Sequence, residues 1–314
     1  MLFKSIATAA AVLGLVASSL AAPAVVPTPF SGIHNKKGVA GLRPANVTTT
    51  PTGRASVQIT YHGGPIMTGT IKEFIVAKTL LFPPVYPIFY GTWTAAQKTI
   101  VNTFIGGVSS TTWWNIEKTY HDNSGNSVTG PVTLGTAYAD NYSQGKSLSD
   151  NSIETIVSHA ISAGGLPVDA NGIYAVLTAG DVTETSGFCS QYCGWHTDGT
   201  ISGKDLKYLF AGLATACPSG CIAPNNQKTS PNGDVAVDGM ISVLAHEIVE
   251  AASDPDLNAW YDASGQENAD KCAWTFGTTK TASNGAAYNV VVGGKDYLIQ
   301  QNWNAATQAC ALSA

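Results

Sequence analysis

The chain has 314 residues, of which only 12 % are charged, and its formal net charge at pH 7 is -5. This acidic balance argues against nucleic acid and against an anionic membrane surface as partners, because both are bound through basic patches. Gly, Ser, Thr and Asn are plentiful, and that composition favours a β-rich extracellular protein with many polar turns.

The N-terminus has the pattern of a secretory signal peptide. Lys4 precedes an apolar run over residues 6–20, and the small residues Ala21 and Ala22 follow. The run is shorter than the roughly 20 apolar residues that span a bilayer, so cleavage is favoured over anchoring. We therefore predict a signal peptide over residues 1–21 and a secreted protein. No later segment is apolar enough to span a membrane, and no membrane partner is expected.

Two further parts of the chain follow the signal peptide. Residues 22–54 are rich in Pro, Thr, Ala and Gly without periodicity, which predicts a flexible leader or pro-segment. Residues 55–314 are predicted to form a single domain. Sequons for N-glycosylation at Asn46 and Asn141 are compatible with secretion.

Several secondary-structure elements are predicted within the domain, in chain order. Strands are expected from Val57, between Ile66 and Leu81, and up to Trp93; a helix capped by Thr94 then ends at Gly106 and Gly107. Helical patterns follow at residues 113–120 and 149–163, and strands at 172–178 and around Leu206, Tyr208 and Phe210. Helices among strands predict an α+β fold, with packed helices on a mixed or antiparallel sheet.

The six cysteines predict three disulfides, because the count is even and the chain is expected to be secreted. They are Cys189, Cys193, Cys217, Cys221, Cys272 and Cys310. We expect the pairs Cys189–Cys193, Cys217–Cys221 and Cys272–Cys310, since the first two pairs lie in short loops. A zinc site built from the C-x3-C spacing is the alternative.

The most informative segment is a predicted helix that starts with Asp238 as its N-cap and ends before Pro255. Almost every residue between them is apolar, so the helix should be deeply buried. His246 and Glu250 lie four positions apart and share a face, and Glu247 is adjacent. An unpaired buried carboxylate lowers the free energy of unfolding by several kcal/mol, so these groups need a partner of opposite charge.

A divalent metal is the economical partner for these groups. His nitrogen and Glu oxygen are ordinary zinc ligands, and the pattern is that of H-E-x-x-H with Glu250 in place of the second His. In that motif the middle residue, here Glu247, is the general base that activates water. Pairing with arginine is the alternative, but Arg43 and Arg54 both lie in the leader.

A third protein ligand is needed, and three positions compete for that role. Glu267 and Asp270 lie 21 and 24 positions after His246, which resembles thermolysin-like peptidases. That resemblance implies Glu267 as the ligand and Asp270 as the residue that orients His246. Asp256 has the third-ligand spacing of the metzincin pattern, and His196, from a cysteine-rich loop, is a further candidate.

A wider resemblance spans roughly residues 55–312. The motifs Gly187-Phe-Cys, Cys193-Gly-Trp-His and Pro231-Asn-Gly-Asp-Val are similar to segments of the phosphate-induced protein family, whose plant members are called EXORDIUM. The resemblance implies an extracellular, often wall-associated protein linked to growth and nutrient responses, with no established activity. We expect the plant members to lack the pair His246 and Glu247, so that this chain represents a microbial type with a zincin-like helix.

Two functions follow from these observations. The first is a secreted zinc-dependent hydrolase, namely a monomeric metallopeptidase, in which His246, Glu250 and Glu267 hold zinc and Glu247 is the base. The second is a non-catalytic extracellular protein that binds a wall polymer or a receptor. For the second, exposed aromatics would stack on sugars, and the candidates are Trp113, Trp114 and Trp260. Large aromatics are more often core residues, so burial of these three is the alternative.

Overall fold

The computed structural model describes residues 38–41, 57–69, 71–74, 77–80 and 83–314. The predicted signal peptide lies outside these residues, and so does the predicted leader except for residues 38–41. Asn141 is exposed, as a sequon requires, whereas Asn46 lies outside the described part.

A seven-stranded mixed sheet is the centre of the fold. Its strands, numbered in chain order, are β1 Gly38–Gly41, β2 Pro84–Tyr90, β3 Thr133–Leu134, β4 Tyr138–Asp140, β5 Ile173–Thr178, β6 Tyr192–Ile201 and β7 Lys204–Gly212. Their order is β1-β6-β7-β5-β2-β3, and β4 also pairs with β2. The pairs β1/β6 and β6/β7 are antiparallel, whereas β5 is parallel to both β7 and β2.

Within the described residues, four helices accompany the sheet, namely α1 Ala95–Gly107, α2 Asp150–Ser162, α3 Pro218–Cys221 and α4 Val235–Ser253. The predicted cap is confirmed, because Thr94 forms a capping box with Gln97 and the helix ends at Gly107. No helix within the described ranges is long and apolar enough to cross a membrane. The predicted α+β class with a mixed sheet is confirmed.

The sheet has a hydrophobic core on each face. Side chains alternate along β5, so that Ala175 and Leu177 join the core formed with α1 and α4, while Tyr174 and Val176 join the core formed with α2. All six residues of β5 are buried. A parallel strand covered on both faces explains why this part of the sequence is continuously apolar.

Short elements complete the fold around the sheet. Two-stranded pairs are Thr60–Tyr61 with Trp260–Tyr261, Ile71–Phe74 with Ala77–Leu80, Ser147–Leu148 with Thr183–Glu184, Lys280–Thr281 with Ala287–Tyr288, Val290–Val292 with Lys295–Tyr297, and Asn302–Asn304 with Ala309–Ala311. Short 3-10 helices cover Val108–Ser110, Trp114–Thr119, Pro224–Asn226 and Asp270–Cys272. The helical pattern predicted at residues 113–120 is thus a 3-10 helix.

The predicted start of α4 was one turn too late. The N-cap is Asp234, whose side chain accepts a hydrogen bond from the Val237 N–H at 3.1 Å. Asp238 lies inside the first turn and accepts instead from the backbone N–H of Asn232 at 2.8 Å. Both aspartates suit the positive end of the helix dipole, so sequence alone does not separate them.

Two of the three predicted disulfide pairings were wrong. The bonds are Cys189–Cys217, Cys193–Cys221 and Cys272–Cys310, and no cysteine is free. Cys217 is the N-cap and Cys221 the last residue of the single-turn helix α3, while Cys193 lies on β6 and Cys189 in the turn before it. The segment 189–193 packs against α3, so each of its two cysteines bonds to a cysteine of α3 or its N-cap, with Cα atoms 5.5 Å apart, and not to its neighbour four positions away.

Candidate metal centre

Helix α4 carries the first part of the candidate centre. Every residue from Val237 to Ser253 is buried, because α4 is covered by the sheet on one side and by the C-terminal segments on the other. The predicted i,i+4 relation holds, since His246 Nε2 lies 2.9 Å from Glu250 Oε1. The helix thus holds an imidazole and a carboxyl group side by side in the interior.

Strand β6 contributes His196 to the same place. His196 is completely buried on the sheet face that packs against α4, whereas its neighbour Trp195 belongs to the core on the opposite face. His196 Nε2 lies 3.2 Å from both carboxyl oxygens of Glu267 and 3.7 Å from Glu250 Oε2. His196, which the sequence suggested only as one of several candidates for the third ligand, is therefore central to the cluster.

The loop 262–272 brings in Glu267 and Asp270. Asp262 shapes this loop by accepting hydrogen bonds from the N–H groups of Ser264 at 2.8 Å and Gln266 at 3.1 Å, and its other oxygen pairs with Lys271 Nζ at 2.8 Å. This turn directs the following Glu267 inward, where its side chain is 5 % exposed.

Asp270 lies next to the Nε2 atom of His246, on the same side as Glu250. Its Oδ1 is 3.4 Å from His246 Nε2, and its backbone N–H donates to Glu250 Oε1 at 3.0 Å. The resemblance to thermolysin-like peptidases implied an Asp that fixes the tautomer of His246 from behind. The structure instead places Asp270 on the side where Glu250 lies, with its main chain holding the Glu250 carboxyl group.

The electrostatics of this cluster are unfavourable without a cation. Burial, reinforced by nearby His246, lowers the pKa of His196 to about 3, so its ring is neutral. Burial raises the pKa of Glu250 to about 7 and, together with the charge on Glu250, raises the pKa of Glu267 well above its ordinary value. Burial also lowers the pKa of His246, but Glu250 and Asp270 outweigh it and the net shift is upward.

The donor set fits a zinc ion. Ligand atoms of His196, Glu250 and Glu267 all lie within 4.8 Å of one another, and so do those of His246, Glu247 and Glu250. Among the described residues, Glu250 Oε2 is buried without a hydrogen-bond partner, and His246 Nε2 has only the carboxyl groups of Glu250 and Asp270 beside it. Imidazole nitrogens and carboxylate oxygens that converge without other partners are the chemistry that zinc requires.

Glu247 lies at the border between α4 and β6. It is fully buried, and a Cβ atom added at Gly194 of β6 would lie 3.0 Å from Glu247 Oε1. The glycine therefore leaves the space that the Glu247 carboxyl group occupies. This position beside His246 and Glu250 is compatible with a base that is not itself a ligand.

Asp256 and the three tryptophans do not join the centre. Asp256 pairs with Lys207 Nζ and belongs to a separate group with Asp198 and Asp205. Trp113, Trp114 and Trp260 are 2 %, 1 % and 6 % exposed, and their indole N–H groups donate to backbone carbonyls. These tryptophans fill the core, as their size favours, and are not available to stack on sugars.

Sequence reasoning missed a polar network behind the centre. Fully buried Glu117 accepts hydrogen bonds on Oε1 from Asn268 Nδ2 at 2.9 Å and from Asn302 Nδ2 at 2.5 Å. Asn268 Nδ2 also lies 3.0 Å from Ser253 Oγ, at the end of α4. In the sequence, only the position of Asn268 directly after Glu267 indicates this network. Nothing near Glu117 in the sequence indicates that its carboxyl group is part of it.

Comparison with known proteins places the chain in a family. The conserved region of phosphate-induced protein 1 matches residues 59–313. Protein EXORDIUM-like 3 of Arabidopsis thaliana is 37 % identical over 291 residues, covering 81 % of this chain and 82 % of that protein. Protein PHOSPHATE-INDUCED 1 of Nicotiana tabacum is 29 % identical over 293 residues, covering 80 % and 87 %. No solved structure matches significantly. The chain is therefore similar to EXORDIUM-like proteins and belongs to the phosphate-induced protein 1 family.

Proposed function

We propose that this protein is a secreted zinc-dependent hydrolase, a metallopeptidase that acts outside the cell as a monomer. The observation that carries the proposal is the convergence of His196, His246, Glu250 and Glu267 in the interior, with the Glu247 carboxyl group beside them. Three disulfides within one domain agree with an oxidising compartment. Neither nucleic acid nor a membrane is proposed as a partner.

The proposed roles follow the donor atoms. His246 and Glu250 from α4, Glu267 from the loop and His196 from β6 would hold the ion. Bound zinc would supply a Lewis acid that polarises the carbonyl group of a peptide bond. Glu247 would accept the proton of the attacking water, and Asp270 would position Glu250 through its backbone N–H group. In this proposal α4 is zincin-like, with Glu250 in place of the second His.

The test compares Glu247→Gln with Glu250→Gln in the purified protein. We expect Glu247→Gln to keep stoichiometric zinc and its melting temperature, while peptide hydrolysis falls by at least about 100-fold, because a general base contributes about 10²–10⁴-fold. Glu250→Gln should lose zinc and stability together, since binding energy at such a site is also folding energy. Glu154→Gln on α2, across the sheet, is the matched control and should change neither.

Two results would contradict this proposal. The first is a protein that takes up no stoichiometric zinc when zinc is offered. The second is equal destabilisation by both substitutions with no effect of a chelator, which would make the cluster a buried structural element. Either result would favour the alternative, a non-catalytic extracellular protein that binds a wall polymer or a receptor. Such binding would use residues other than Trp113, Trp114 and Trp260, because these three are buried. That the plant relatives lack the pair His246 and Glu247 stays a prediction.

A further inference from the structure

The edge of the main sheet beside the candidate centre is covered by a short strand from the leader. β1 pairs antiparallel with β6, and Gly38 lies opposite His196 while Ala40 lies opposite Gly194. Directly opposite residues of an antiparallel pair have their Cα atoms about 4.5–5.5 Å apart. The backbone of β1 therefore runs directly alongside the strand that carries one of the proposed ligands.

The surroundings of β1 connect it to the rest of the centre. β1 packs against α4 and against the turn Asp270–Cys272, the two other elements that carry site residues. Residues opposite each other in a sheet share a face, so positions 38 and 40 lie on the face of His196 and Gly194, where Glu247 is found. A chain at this edge thus borders both the ligands and the proposed base.

Two features indicate that β1 is an occupant of this edge and not a constitutive part of the sheet. The family match begins at residue 59, so β1 lies outside the region that the chain shares with the family. The strand reads Gly-Val-Ala-Gly, and glycine is a poor strand former with no side chain to pack. An unpaired strand edge is a template for another extended chain.

We propose that the outer edge of β6 is the site where an extended peptide substrate binds as an antiparallel strand, and that residues 38–41 occupy it in the full chain. This inference rests on the proposed function. Main-chain hydrogen bonds to β6 would hold the peptide and tolerate many sequences, while its alternate side chains face α4. The residue opposite His196 would place its peptide bonds beside the metal ligands and Glu247. The leader strand would act as an intramolecular competitor.

The test uses the full chain with Val39→Pro and Ala40→Pro together, because proline removes the N–H groups that a strand donates. The matched control carries Thr49→Pro and Thr52→Pro, elsewhere in the leader. The probe is a fluorescein-labelled peptide with the sequence of residues 36–43, followed by anisotropy with and without added zinc. We expect amide exchange over residues 192–196 to accelerate in the first variant only. That variant should bind the peptide at least about tenfold more tightly than wild type, whose tethered segment competes at millimolar effective concentration.

Two outcomes overturn the inference. One is unchanged exchange at residues 192–196 in the first variant, which would mean that β1 does not cover this edge. The other is accelerated exchange without peptide binding, which would mean that the free edge does not accept a peptide. Zinc content is measured on the same samples. If the peptide does not bind but zinc is retained, only the edge site is contradicted and the proposed function stands. If zinc is absent, the proposed function itself is contradicted. A peptide with proline at the positions of residues 39 and 40 should not bind.

Discussion

The imidazole of His196 is the group that connects the sheet to the candidate centre. Its Nε2 lies 3.2 Å from Glu267, a residue 71 positions away in the chain, and burial keeps the ring neutral at physiological pH. A neutral ring presents a lone pair to a cation, whereas a protonated ring would not. His196 should therefore matter more for metal affinity than for the packing of the sheet.

We expect His196→Gln to weaken zinc binding by at least about tenfold, since even residues that only orient metal ligands contribute about 10–100-fold. The measurement is a competition titration against a chromogenic chelator. His62→Gln is the control, because His62 is exposed and stacks on Tyr261. An unchanged zinc affinity in His196→Gln would remove this residue from the proposed ligand set.

Glu117 gives a second prediction at the residue scale. Burial raises its pKa well above the ordinary value, which favours the neutral carboxyl group, so Glu117→Gln should cost little stability. Glu117→Ala should instead lower the free energy of unfolding by about 2–4 kcal/mol, because the amide groups of Asn268 and Asn302 lose their acceptor.

The pH dependence of stability distinguishes these variants further. A folded-state pKa above the unfolded value means that the folded protein binds the extra proton, so wild type loses stability as pH rises above about 4.5. Glu117→Gln has no such proton. Urea unfolding at pH 5 and pH 8 should show a smaller decline for Glu117→Gln than for wild type. Equal declines would mean that Glu117 is ionised in the folded state.

At the scale of elements, α4 and the cysteine-rich segments show what local patterns can predict. The continuous apolar run, the i,i+4 pair and Pro255 were enough to predict a buried helix with His246 and Glu250 on one face. The start of α4 was misplaced because Asp234 and Asp238 are equivalent caps in sequence. The disulfides were mispaired because a short spacing between cysteines does not show whether each one faces its neighbour in sequence or another segment that packs beside it.

A thiol count tests the pairing directly. In the double variant Cys189→Ser and Cys217→Ser, the structure predicts that Cys193 and Cys221 remain bonded, so the denatured, unreduced protein should label with a thiol reagent at no site. The variant Cys189→Ser and Cys193→Ser should instead expose two thiols. The reverse pattern would support local pairing.

Across the whole molecule, the α+β class and the apolar central strand follow from hydrophobic patterns, because a strand buried on both faces must be apolar throughout. The candidate centre does not follow in the same way. His246 and Glu250 are neighbours on a helix, but His196 and Asp270 join them only through the packing of β6 and the loop 262–272 on α4. Asp256 has the third-ligand spacing of the metzincin pattern, but it forms an ion pair with Lys207. Lys207 is buried and therefore needs a carboxylate partner.

The proposed ion would connect three separate segments, and its removal should loosen them unequally. The loop 262–272 is held by turn hydrogen bonds, such as Asp262 N–H to the Gln266 carbonyl oxygen at 2.9 Å, whereas β5 is buried between two cores. Without a cation, the carboxyl groups of Glu250, Glu267 and Asp270 are left close together. We therefore expect a chelator to accelerate amide exchange at 262–272 by at least about tenfold, because short loops open locally, while β5 exchanges only on global unfolding.

Hydrogen exchange with mass spectrometry on the full chain, with and without chelator, makes this measurement. Glu250→Gln is the control, since a variant that binds no zinc should exchange rapidly at 262–272 in both conditions. The Cys272–Cys310 bond fixes one end of the loop, so the change should be largest between residues 262 and 270. Uniform acceleration that includes β5 would show that zinc stabilises the whole domain cooperatively, and no change in wild type would show that these three segments are not joined by a metal.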